Sequence, residues 1–107
     1  MYVIGLENDT LRTISVYKGY ITASGGGDIL PPGWSVVKTP PNTYEVFHNL
    51  NLVNITDLLG SFSAYSTDGD AYFITPISAT KDSIVLKVKS QINGDTIVSF
   101  GFIAFKY

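Results

Sequence analysis

Cysteine is absent from this 107-residue chain, and histidine occurs once, at His48. Disulfides and thiolate metal sites are therefore excluded, and a His-rich zinc site has too few ligands. Charge is sparse as well: Asp, Glu, Lys and Arg make up 15% of the residues, against about 25% in an average soluble domain. Such a low-charge, aromatic-rich surface predicts extensive burial, including burial against other subunits. The seven basic residues are scattered and the net charge is -2, so no cluster neutralises phosphates and nucleic acid is not an expected partner. No apolar run approaches the ~20 residues that span a bilayer, and membrane insertion is not expected. The opening stretch "MYVIGLENDT" lacks the basic start and apolar segment of a signal peptide, so export by the general secretory route is not expected. No cofactor is implied: Gly25-Gly26-Gly27 is followed by neither the Lys-Ser/Thr pair nor the helix of a phosphate-binding loop.

Helical periodicity is missing too. The best candidate, "ITDLLG" at 55–60, is too short for more than a turn. The rest reads as short strands punctuated by Gly, Pro, Asn and Asp, expected at 2–6, 11–17, 20–24, 34–38, 43–48, 56–66, 71–78, 83–90 and 96–106. This pattern predicts an all-β chain, an antiparallel β-sandwich of jelly-roll-like type. The length suits one domain that buries enough surface to hold a core without staples. The break "GGGDILPPG" at 25–33 reads as a Gly/Pro hinge between a short N-terminal β segment, 1–24, and a main sandwich, 34–107. The N-terminal piece is too small to bury a core alone and is expected to pack on the sandwich or on a neighbour.

Two hairpins are marked by turn residues. In "STDGDAY", Asp68-Gly69 suits a two-residue turn that opposes Ala64 to Phe73 and Tyr65 to Tyr72. Phe62, Ala64, Phe73 and Thr75 then share the core face, with Tyr65, Tyr72, Ser63 and Ile74 on the other. In "QINGDTIV", a two-residue turn at Asn93-Gly94 pairs Leu86 with Gly101, whereas a three-residue bulged turn pairs Leu86 with Phe102 and Val88 with Phe100; the bulged register is favoured because it joins apolar to apolar. Residues 84–89 alternate, with Ile84, Leu86 and Val88 inward and Lys87 and Lys89 outward. The closing strand does not alternate: Val98, Phe100, Phe102 and Ala104 lie on one side, and Ile97, Ile103, Phe105 and Tyr107 on the other. One apolar set is therefore left facing out, which makes Ile97, Phe100, Phe102, Ile103 and Phe105 the candidate oligomer interface.

Catalysis finds little footing. His48-Asn49 resembles a base with an orienting partner, but no G-x-S-x-G elbow supplies a nucleophile. A strand-end histidine followed by an Asn-initiated turn accounts for both residues. Asp68 and Asp70 are adjacent turn residues, too close in sequence for a calcium loop or for carboxylates facing each other across a cleft. The same loop has a binding reading. Tyr65 and Tyr72 offer rings for sugar stacking, and Thr67, Asp68 and Asp70 offer hydrogen-bonding groups, which makes these five the candidate ligand site. Trp34 opens a strand and is expected to anchor the core.

"GWSVVKTPPNTYEVFHNL" at 33–50 resembles a pattern of phage tail-fibre and receptor-binding tip domains. There a Gly-hydrophobic-Ser/Thr-Val strand leads through Lys/Arg-Thr and a Gly/Pro/Asn turn to Tyr-x-Ile/Val-x-His-Asn. The polar loop "YSTDGDAYF", the turn in "TKDSIVLKV", an Asn-Gly hairpin and the aromatic strand "SFGFIAFKY" follow in the same order, so the resemblance covers 33–107. It implies a homotrimeric sandwich, similar to H-type lectins, at a fibre tip on the virion. The implied partners are a bacterial surface glycan or receptor, bound without catalysis, and other virion proteins. Tip domains usually follow long shaft segments, and here about 30 residues precede the match. The alternative is a structural virion component, such as a head fibre, decoration or baseplate protein, whose N-terminal strands serve assembly.

Overall fold

A computed structural model describes residues 2–7, 10–23, 26–64, 70–92, 94–95 and 98–106, with 2–7, 10–13 and 95 described by their backbone. Two antiparallel sheets pack face to face as an all-β sandwich. The strands are β1 (Tyr2–Glu7), β2 (Thr10–Ile21), β3 (Ser35–Thr39), β4 (Thr43–Phe47), β5 (Leu58–Ala64), β6 (Tyr72–Ala79), β7 (Ser83–Ser90), β8 (Gly94–Asp95) and β9 (Phe100–Lys106), with one 3-10 turn at Ile55–Asp57. One sheet runs β1-β2-β9-β5, and the other β3-β4-β7-β6 with β8 added to β7. The strands expected at 11–17 and 20–24 are one continuous strand, β2, and the last strand begins at Phe100.

The core forms between the sheets. Ile21, Phe100 and Phe102 meet Tyr44, Val46, Leu86 and Val88 from the opposite sheet. The Tyr44 and Phe100 rings pack edge to face at 5.1 Å, and the buried Tyr44 hydroxyl donates to the Val98 carbonyl at 3.0 Å. Burial pushes the Tyr44 phenol up to about 12, so it stays neutral and keeps donating. Trp34 is the expected anchor: it stacks on Phe102 at 5.5 Å and also touches Tyr17 and His48.

The first expected hairpin is corrected; in the second β7 does turn back tightly, with Ser90 opposite Gly94 and Lys89 opposite Asp95, but onto the two-residue β8 and in another register. β7 does not pair with β9. Its two ladders are taken by β4 and β6, with β8 continuing beyond β4, while β9 lies between β2 and β5. Leu86, Val88, Phe100 and Phe102 do meet, but across the core rather than along one ladder. β5 and β6 likewise belong to different sheets, so Ala64 opposes Phe100 and Phe73 opposes Lys89. A two-residue turn keeps both strands in one sheet, whereas a crossing resets which residues face inward. Tyr72 and Ile74, paired with Ser90 and Val88, therefore pack on the core, and Phe73 is exposed.

The segment 25–33 carries the chain from one sheet to the other. It is pinned by Asp28, whose carboxylate accepts from the Thr22 amide at 2.8 Å, the Thr22 hydroxyl at 3.0 Å and the Lys38 ammonium at 3.0 Å. Tyr20 and Ile29 exchange two backbone hydrogen bonds at 2.8 Å beside it. Burial raises the Asp28 pKa, but the Thr22 and Lys38 contacts outweigh it and hold the group below its usual value. A folded-state pKa below the unfolded one means stability that is present above about pH 4 and lost as pH falls through the folded value. Asp28→Asn is expected to cost about 1.5 kcal/mol at pH 7. Urea midpoints at pH 7 and in acid test this: the gap between wild type and variant should shrink below pH 4.

β2 is longer than its partners. Its residues 15–21 pair with β9, and residues 10–15 pair with β1. Among the described residues β1 pairs with no other strand, so a two-stranded arm stands beyond the end of β9. At about 3.3 Å per residue, positions 10–14 add roughly 16 Å, which fits the 46 × 25 × 24 Å envelope.

Candidate functional site

Antiparallel register assigns the outward residues of the four-stranded sheet to three cross-strand rows. Nearest the arm, Val16, Phe105 and Leu59 lie side by side. Next come Lys18, Ile103 and Ser61, and then Tyr20, Gly101 and Ser63. The rows grade from wholly apolar to mixed. Leu59 is 51% exposed and Ile103 38%, so this face presents large apolar side chains to the surroundings. Among the described residues no helix covers it.

Gly101 makes a hollow in the last two rows. It lies between the Tyr20 ring and the small Ser63, and with no side chain of its own it leaves the floor low. The resulting trough has a volume of about 440 Å³, with Ile29 adding a wall beside Tyr20 and Ile103 closing the apolar end. Of the described residues that line it, Lys18 alone carries a charge. The trough thus joins an aromatic and aliphatic wall to two exposed hydroxyls and one cation.

The structure places the expected interface residues on two different sides. Ile103 and Phe105 belong to the outward face, as described. Phe100 and Phe102 do not: Phe100 is fully buried and Phe102 nearly so, both in the core. Ile97 lies outside the described residues. The separation follows from β9's central position, since strict alternation between two neighbours sends even-numbered positions inward.

The expected ligand loop is placed only in part. Tyr65, Thr67 and Asp68 lie outside the described residues. Asp70 is buried, its carboxylate accepting from the Ser90 hydroxyl, the Ala71 amide at 2.8 Å and the Ile92 amide at 3.3 Å. Tyr72 packs against the core. Asp70 therefore fastens the chain on one side of the loop to the end of β7 rather than facing a ligand.

His48 ends β4's path in the core, 2% exposed, with Nδ1 accepting from the Leu50 amide at 3.1 Å. That bond assigns the proton to Nε2, which finds no hydrogen-bond partner among the described residues, with the Trp34 ring beside it at 5.8 Å. Burial lowers its pKa, with Asp82 offsetting part of the shift, so the ring is neutral near pH 7. Asn49 and Asn51 then take left-handed conformations at φ 56° and 50°, as a turn requires. A buried, neutral ring followed by this turn is a structural element, in agreement with the strand-end reading.

Lys18, Tyr20, Ser61, Ser63 and Gly101 were not evident as a group in the sequence. One local signal existed: glycine interrupts the aromatic closing strand at 101. Comparison with protein-family models, characterised proteins and solved structures finds no match. The functional reading therefore rests on the chemistry of this face and on the sequence resemblance over 33–107.

Proposed function

We propose that the protein is a phage fibre or receptor-binding tip module that assembles as a homotrimer on the virion and attaches to a bacterial surface glycan or receptor by binding rather than catalysis. The observation that carries the self-association is the pair of exposed apolar side chains Leu59 and Ile103 on the outward face, with half-buried Phe105 beside them and Val16 already buried. Exposed Leu and Ile on a sheet face lose about 1.5–3 kcal/mol each of available burial, which a second copy supplies. The fibre assignment rests on the sequence resemblance over 33–107.

Light scattering tests the association. The wild type should run at three times the chain mass at micromolar concentration. Leu59→Asp should weaken assembly at least about tenfold, because a charge would be desolvated in the contact. Leu59 is exposed in the single chain, so folding should be unaffected. A monomeric wild type would overturn the proposal.

The projecting β1–β2 arm favours a second reading, that of a structural virion component acting in assembly. A two-stranded ribbon is marginal alone and gains stability from a neighbour. The readings part on cell binding: isolated protein that adheres to host cells supports the first. Protein that is built into particles yet never adheres supports the second.

A further inference from the structure

The geometry points to the Gly101 trough as the receptor site, with an acidic sugar ring, a pyranose bearing a carboxylate, as its ligand. This deepens the attachment reading and rests on it. Three strands at about 4.8 Å spacing and two outward rows give a floor of roughly 10 by 7 Å, the footprint of one sugar ring. Gly101 lets a flat ligand approach the backbone between Tyr20 and Ser63. The Tyr20 ring and Ile103 meet the C–H faces of such a ring, and the Ser61 and Ser63 hydroxyls exchange hydrogen bonds with its own hydroxyls. Lys18 selects the carboxylate, since it is the charged group among the described residues lining the trough.

A peptide fits less well. Extended peptides gain affinity by adding to a free sheet edge. Both ladders of β9 are occupied, by β2 and β5, so the strand under Gly101 has no edge to offer, and a peptide added to the outer edge of β5 would lie beside the hollow rather than fill it. A ring that needs only a stacking surface and side-chain hydroxyls meets no such obstacle. Assembly and attachment meet at Ile103: self-association is expected to centre on Leu59 and Phe105, beside the arm, and to leave the Tyr20–Gly101–Ser63 end open.

D-glucuronate and D-glucose, the same ring with and without the carboxylate, are the probes, titrated into the intact protein and followed by amide chemical shifts. Glucuronate should move the Gly101, Ser61 and Ser63 amides saturably and bind about fivefold more tightly than glucose, the scale of one exposed charge contact. Lys18→Gln should erase that preference while leaving glucose unaffected. Gly101→Val should abolish binding of both. Ser63→Leu, at an exposed position, keeps the test valid if the glycine variant misfolds. Absence of saturable shifts, equal affinity for both sugars, a silent Lys18→Gln, or tighter binding of an acidic tripeptide would each overturn the proposal. Adhesion to bacterial cells separates the two levels. Adhesion unchanged by Lys18→Gln and Ser63→Leu removes the trough as receptor site and leaves the attachment reading standing. Glucuronate binding without adhesion upholds the trough and removes that reading.

Discussion

Gly19→Ala should destabilise the protein by about 3 kcal/mol, the upper end of the usual cost of overpacking a core. A methyl group at Gly19 would lie 2.6 Å from the Phe102 ring and 2.6 Å from the Ile29 carbonyl oxygen. Neither obstacle yields easily. Phe102 is stacked on Trp34, which in turn touches Tyr17 and His48, so moving the ring disturbs a chain of aromatic contacts. The Ile29 carbonyl is backbone, held by the Tyr20 amide at 2.8 Å. The substitution forces apart the two segments that Tyr20 and Ile29 join. A drop of about 15 °C in melting temperature should follow for a domain of this size. Gly26→Ala is the matched control, because a methyl there meets nothing within 4 Å. Equal stability of both variants would show that the close approach at Gly19 relaxes at little cost.

The same glycine shows where sequence reading succeeds and where it stops. Strand positions were legible because β-branched and aromatic residues alternate between turn residues. β3, β4 and β7 fall within one or two residues of expectation, with Leu86 and Val88 inward and Lys87 and Lys89 outward. Local pattern does not say which strands become neighbours. Asp68-Gly69 and Asn93-Gly94 carry the chemistry of tight turns, and β7 and β8 do pair on either side of the second, yet the chain crosses to the other sheet between β5 and β6 and again after β8, and the faces of β6 and the partners of β9 changed accordingly. The outward rows depend on that pairing. Tyr20, Gly101 and Ser63 come from three strands, and their adjacency exists only once β9 sits between β2 and β5. Gly19 opposite Phe102 is another product of the same register. The inner and outer roles within Phe100, Phe102, Ile103 and Phe105 were likewise open until the strand had two neighbours.

Asp70→Ala should cost about 3 kcal/mol, because it removes an acceptor from groups that are themselves out of water. Ser90 is 1% exposed and donates to Asp70, and the Ile92 and Ala71 amides point at the same carboxylate. The backbone bond from the Gln91 amide to the Ala71 carbonyl, 2.8 Å, completes a clasp between the start of β6 and the end of β7. Asp70→Asn should lose about half as much. Its carbonyl still accepts, while its amide turns donors toward donors. Urea unfolding of the three proteins checks the order. The experiment also decides between two roles for one residue. As an exposed ligand group, Asp70 would weaken receptor binding on substitution and leave stability within about 0.5 kcal/mol. As a clasp, it should lower stability first, with receptor binding intact wherever the variant remains folded. The buried carboxylate and its donors among the described residues, Ser90, Ala71 and Ile92, favour the second outcome, which agrees with the proposal that places ligand binding on the open face around Gly101.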